Sequence, residues 1–201
     1  MEDIDLETYL DQYRQGDVEA LGRIVDLTRK PLYRFIRGMV RDPHEADDVF
    51  QDVWIRAVRG LHRYRSDRLV SWLFRIARNR VIDLSRKRRA DVSLQQPVGR
   101  GEHGHTATLE TFAADRAPGP ERDAGNHELA ERIRAAVDAL PAEQREVYLL
   151  RTEADTPFKL IAEHQGVSIN TSLARMQYAL RKLRDDLAED YETLNTLSRR
   201  S

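Results

Sequence analysis

Apolar positions recur along the chain with a helical period, and no stretch shows the strict alternation of a strand or an Asn-Gly hairpin turn. A first short helix is predicted at about 4–15, stopped by Gly16. Asp17 caps a second helix, about 18–29, and Pro31 opens a third that reaches about Val40. Asp42-Pro43-His44-Glu45 is a strong start signal, with an acid at the N-cap, proline at the first helical position and glutamate at the third. The fourth helix runs to about Leu61, with Ala46, Val49, Phe50, Val53, Ala57 and Leu61 as its inner stripe. After a polar loop, Ser71 caps a fifth helix, to about Arg89. Further helices are predicted at about 127–139, 141–151, 157–164 and 168–189, the last three opened by Pro141, Thr156-Pro157 and Ser168.

Residues 91–126 break this pattern. They hold five Gly and three Pro and no helical apolar period, which reads as a flexible linker. The expected fold is all-α, two small helical domains joined by that linker, the second a helix-turn-helix. The expected boundaries are 1–90, 91–126 and 127–190, with a tail at 191–201.

Composition narrows the classes. With no cysteine there is no disulfide scaffold, thiolate metal site or cysteine nucleophile. No run approaches the 18 or so apolar residues of a membrane span, and the acidic start MEDIDLETYLDQYRQ lacks the features of a signal peptide, so a cytoplasmic protein is expected. His103 and His105 have no further ligands nearby, so no metal is expected, and no cofactor. No nucleophile–base set accompanies the scattered acids, so no enzyme is expected.

The net charge of -1 argues against a basic nucleic-acid binder only while it is read as one lump. Residues 59–89 carry 11 basic and 2 acidic side chains, whereas residues 1–58 carry 8 and 13. On the fifth helix Leu73, Ile76, Ala77, Val81 and Leu84 fall on one side, and Arg75, Arg78, Asn79, Arg86 and Arg89 on the other. Guanidinium forks along such a stripe match phosphate oxygens. The preceding loop offers His62, Arg63, Tyr64, Arg65 and Arg68, with Trp72 and Phe74 close behind. Aromatics among cations suit single-stranded bases, although a solvated helix face with Trp72 and Phe74 in the core is the competing reading. On the fourth helix Asp47, Asp48, Gln51 and Asp52 crowd the exposed face. Either their closeness to the helix N-terminus accounts for them or they form a docking surface for a basic partner helix.

Residues 158–178 fit a helix-turn-helix, with a plain αα-hairpin as the competing reading. The small Ala162 permits a close crossing, Gly166 suits the turn, Val167 plugs the angle and Ser168 caps the next helix. Leu173, Met176, Leu180 and Leu183 are its expected inner stripe. Ser168, Asn170, Thr171, Ala174, Arg175, Tyr178 and Lys182 are the candidate DNA-facing residues, because the start of a recognition helix reaches major-groove base edges.

Together these residues resemble a bacterial RNA polymerase sigma factor of the sigma-70 family, in its small two-domain extracytoplasmic-function (group IV) form. Four blocks match in the family's order: Glu45 to Val53, Trp72 to Asp83 with Arg86 to Arg89, Leu140-Pro141 with Gln144 to Val147, and Phe158 to Arg184. The resemblance covers about residues 5–89 and 127–187. It implies that the acidic helix docks on the β′ clamp helices of core polymerase through Asp48, Gln51 and Asp52. It implies that loop 62–70 takes up a base flipped from the −10 strand, at an unstacking cost of a few kcal/mol. The basic stripe would hold the opened strand, and the helix-turn-helix would lie in the −35 major groove under the β flap. The linker would thread toward the RNA exit path. The small class commonly uses an anti-sigma factor, which makes such a protein a candidate partner. The sequence departs from the family where Ser172-Leu173 replaces the frequent Val-Lys and Tyr178 replaces a frequent Arg. Two other functions compete, a free-standing helix-turn-helix regulator and a decoy that binds polymerase without reading DNA.

Overall fold

The computed structural model describes residues 3–65, 68–94 and 120–188. Among them are eight helices: α1 (Asp3–Arg14), α2 (Val18–Met39), α3 (Pro43–Leu61), α4 (Leu69–Leu94), α5 (Pro120–Asp138), α6 (Ala142–Ala154), α7 (Phe158–Gln165) and α8 (Ile169–Asp186). The described residues are all-α, as expected.

The second and third predicted helices are one. Pro31 lies inside α2, where it withholds an N–H from the ladder and crowds the preceding turn. The helix continues because its inner stripe does: Ala20, Ile24, Thr28, Leu32, Phe35 and Ile36 are all buried on one face. Asp17 accepts a hydrogen bond from the Glu19 N–H at 2.9 Å and caps the start. The α3 start signal is realised, with Asp42 accepting from the N–H groups of His44 at 2.8 Å and Glu45 at 3.3 Å. The fifth predicted helix starts earlier than Ser71, because Leu69 and Val70 are buried and the Arg68 carbonyl accepts from the Trp72 N–H at 3.1 Å. It also runs on to Leu94, and α5 begins at Pro120, so helix enters the predicted linker from both sides. The rest of the linker, including His103 and His105, and the tail lie outside the described residues.

Four helices form the first core. Phe35 of α2 and Phe74 of α4 meet with ring centroids 5.3 Å apart, and Val53, Leu61 and Leu73 close around them, all buried. Each fully buried side chain of this size contributes about 1.5–3 kcal/mol. The same buried cluster continues into the second half of the chain through Val137, Val147, Leu150, Ile161, Ala179 and Leu183.

The two predicted domains are packed on each other rather than held apart. Leu149 of α6 is buried against Gly38 of α2, where a Cβ would lie 2.7 Å from its Cδ1. Arg78 of α4 pairs with Glu146 of α6, both side chains nearly buried. Arg34 of α2 pairs with Glu153 of α6 at 2.8 Å. Leu149 and Glu146 could not be told from ordinary helix positions in the sequence, so this interface was invisible there.

Candidate functional site

The acidic face of α3 is only partly free. The Tyr33 hydroxyl donates to Asp47 at 2.8 Å, and burial followed by the Asp47 hydrogen bond and charge pushes that hydroxyl up to about 12. Asp52 is held by Arg56 at 3.1 Å and by Arg80 of α4. Asp48 and Gln51 are exposed and, among the described residues, make no ion pair. Ile55, half exposed, and Val58 continue their line. Residues 48, 51, 55 and 58 fall within about 80° on one helical face. One unpaired carboxylate, one amide and two apolar side chains thus make a mixed polar and apolar ridge. Ile55 and Val58 were missed because, read singly, they look like stray core positions; their spacing from Asp48 was the available signal. Beside the ridge a cavity of about 570 Å³ opens between α2 and α3, lined by Val25, Arg29, Tyr33, Arg34, Phe50 and Gln51.

The basic stripe of α4 stands as a helix face, with exceptions. Leu73, Ala77 and Val81 are buried, and Ile76 and Leu84 pack on the same core. Arg75, Asn79 and Arg86 are exposed on the other side. Arg78 is not available there, since it is the partner of Glu146. Arg89 lies near the end of α4, where side chains fall outside the described residues. Arg88, exposed on α4, is paired with Glu45 of α3.

The loop aromatics do not present faces to solvent. Tyr64 is buried, with its ring 4.9 Å from that of Trp72 and its hydroxyl accepting from the Arg68 N–H at 2.9 Å. Trp72 is half-buried over Gly60, where a Cβ would meet its ring at 2.9 Å. Phe74 is fully buried. Tyr64 and Trp72 thus anchor the loop, because large rings beside an open core seat gain more from burial than from exposure. His62, Arg63, Arg65 and Arg68 remain exposed, and Arg65 donates to the carbonyls of His62 at 3.0 Å and Tyr64 at 3.2 Å.

The helix-turn-helix forms as expected around Ile161 and Ala162, both buried. Gly166 ends α7 in the left-handed region, at φ 66°, and the Ser168 hydroxyl caps α8 by accepting from the Thr171 N–H at 3.1 Å. The inner stripe of α8 differs from expectation. Ser172, Ala179 and Leu183 are buried and Met176 packs beside them, while Leu173 and Leu180 are 37% and 45% exposed. Small side chains face inward because α6 and α7 cross α8 closely, and leucines at those positions would hold the helices apart. Of the candidate readers, Asn170, Thr171 and Tyr178 are exposed and Ala174 is half-buried. Tyr178 carries the Arg181 guanidinium over its ring at 4.9 Å. Arg175 donates to the neutral Gln165 side chain at 2.7 Å and keeps its charge, whereas Lys182 is paired with Asp186 at 3.2 Å.

His164 of α7 lies at the domain interface. Burial, and then the charges of Arg78 and Arg75, hold its ring below the ordinary value of 6.5. Among the described residues no cluster of His, Asp and Glu could hold a metal ion, and no helix is long and apolar enough to cross a membrane.

Comparison with known proteins gives consistent matches. The family model for Sigma-70 region 2 matches residues 24–90, and that for Sigma-70, region 4 matches residues 130–183. The ECF RNA polymerase sigma factor SigW of Bacillus subtilis is 30% identical over 179 residues, which is 89% of this chain and 94% of that protein. The ECF RNA polymerase sigma factor SigD of Mycobacterium tuberculosis is 30% identical over 186 residues, 88% of this chain and 82% of that protein. Among solved structures, the sigma factor RpoE of Bartonella quintana, in complex with the anti-sigma factor NepR, matches with a TM-score of 0.63 at 22% identity, over 85% of this chain and 98% of that one. CnrH, in complex with the cytosolic domain of CnrY, matches with a TM-score of 0.60 at 24% identity, over 92% and 99%.

Proposed function

The chain belongs to the sigma-70 family as an ECF RNA polymerase sigma factor, and on that premise we propose which of its surfaces performs each part of the work. The observation that carries the reading is the α3 ridge of Asp48, Gln51, Ile55 and Val58, exposed beside an α4 whose outer face bears Arg75, Asn79 and Arg86. The ridge docks on a basic helical surface of core polymerase, the β′ clamp helices. Apolar burial of Ile55 and Val58 supplies affinity, and the carboxylate supplies orientation and speed of encounter. The α4 face and the 62–68 loop take the opened −10 strand. The exposed start of α8, with Asn170, Thr171 and Tyr178, reads the −35 groove under the β flap.

Residues 1–90 then act as the polymerase-binding and −10 domain, 91–126 as the connector, 127–190 as the −35 domain and 191–201 as a tail. The work lies in the cytoplasm, where polymerase is. The solved neighbours sit in complexes with NepR and with CnrY, which supports an anti-sigma factor as a further partner of this chain. A free-standing helix-turn-helix regulator is not favoured, since two sigma regions occur in order in one chain.

The Arg78–Glu146 pair adds a condition. Arg78 cannot meet a phosphate while it holds Glu146, so engagement of DNA by that part of α4 requires α6 to move away. The test is reconstitution: the protein should comigrate with core polymerase and direct run-off transcription from a genomic promoter. A protein that does neither would end this reading.

A further inference from the structure

The loop proposed to take the −10 strand is held from outside the matched family region, by α1. That helix precedes residue 24, where the match begins. It is fixed on the first domain by Leu6 and Leu10, both buried, and it ends at a turn where Gly16 takes φ +103°. Its last two side chains then reach across to the loop.

The Tyr13 ring stacks on the His62 ring, with centroids 5.0 Å apart and planes 30° from parallel. The Tyr13 hydroxyl lies 3.3 Å from His62 Nε2. The Arg14 guanidinium donates to the Tyr64 carbonyl, and its other arm is steadied by Asp11 at 2.9 Å. Within the loop, Arg65 grips the same Tyr64 carbonyl, and the Tyr64 hydroxyl receives the Arg68 N–H. The described loop residues are thus held from two sides: the end of α3 accepts the Arg63 and Tyr64 N–H groups through the Gly60 carbonyl at 3.0 Å, and α1 reaches the loop from the other side through Tyr13 and Arg14. A loop left to itself would have to be ordered at the moment it receives a base. Contacts made in advance move that entropy loss into folding, which raises affinity and fixes geometry.

We infer that α1 is a brace for the −10 loop, with Tyr13 and Arg14 as positioning residues for promoter opening. Neither touches DNA; they act by holding His62 and the Tyr64 carbonyl in place. The inference rests on the loop having the −10 role proposed above.

The experiment uses holoenzyme assembled from core polymerase and the full chain, wild type or carrying Tyr13→Leu, Tyr13→Phe or Arg14→Ala. Three quantities are read: affinity for core, thermal midpoint of the free chain, and permanganate reactivity of −10 thymines. Tyr13→Leu and Arg14→Ala should each lower promoter opening about tenfold while core affinity stays within about twofold, the scale at which small displacements of positioned groups are felt. Tyr13→Phe keeps the stacked ring and should recover most of the opening. The His62 ring resonances should shift in Tyr13→Leu and much less in Tyr13→Phe. Undiminished opening by Tyr13→Leu and Arg14→Ala, with wild type opening normally, would overturn the brace alone. So would losses of opening that only track losses of core affinity or thermal midpoint. A wild-type holoenzyme that binds core but melts no promoter would overturn the −10 role of the loop, and the brace with it.

Discussion

Replacing Glu146 by glutamine should push the free protein toward separated domains. Arg78 and Glu146 have side chains only 14% and 10% exposed, so the pair is largely removed from water when the domains meet. Removing one charge from such a pair leaves the other buried without compensation, at a cost of about 3–5 kcal/mol for full burial. Glutamine keeps an acceptor for the guanidinium, and separation lets Arg78 rehydrate, so about 2 kcal/mol is expected, or roughly a 30-fold shift toward the open arrangement. Absence of cysteine makes the assay clean, since Val18→Cys and Gln177→Cys, both at exposed positions, would be the sole labelling sites for a fluorescence pair. Energy transfer should fall in Glu146→Gln and return when Arg78→Glu is combined with Glu146→Arg. An independent wedge at the same interface is Gly38→Val, whose side chain would enter the space of the buried Leu149. If both Glu146→Gln and Gly38→Val left energy transfer at the wild-type value, the interface would not be what holds the domains together.

Three further outcomes follow from other parts of the molecule. Asp48→Arg should abolish binding to core polymerase with helical content by circular dichroism unchanged, because Asp48 is exposed and pairs with no cation among the described residues; unchanged affinity would remove the α3 ridge from the interface. Packing of the domains should be full above about pH 6.5 and weaken as pH falls below it, since the packed state holds His164 below its ordinary value and separation lets the ring take up a proton. Energy transfer that rose on going from about pH 7.5 to 5.5, or a pH response kept by His164→Gln, would contradict that cause. Leu173→Lys adds a cation at an exposed position beside the reading face of α8, and should steepen the salt dependence of binding to −35 duplex by about one counterion; an unaltered slope would place Leu173 away from the phosphates.

Much of the fold was legible locally. The Asp42-Pro43 start, the Ser168 cap and the Gly166 turn each depend on groups within a few residues, so reading them needed no tertiary knowledge. Pro31 misled because a local rule for breaking helices was outweighed by a buried stripe running through it. The face of α8 misled by one position, because hydrophobicity favoured leucines inside while the close crossing of α6 and α7 demanded Ser172 and Ala179. At the site, the segregation of charge into residues 59–89 was plain, but which cations remain free was not. Arg78, Arg80 and Arg88 are spent on Glu146, Asp52 and Glu45, partners far away in sequence.

What the sequence by itself determined is the order of helices, the placing of a basic helix after an acidic one, and the four blocks that identify the family. The helices and the charge segregation follow from periodicity, capping and composition, which act over a few turns of chain, whereas the four blocks carry a resemblance to a known family. Only the tertiary structure decided which aromatics are core, which carboxylates are free, and that the second domain leans on the first through Leu149 and Glu146. Those outcomes turn on burial and on pairing between distant residues. Desolvation makes a buried charge seek its partner wherever the fold has brought one, and no local pattern records that encounter.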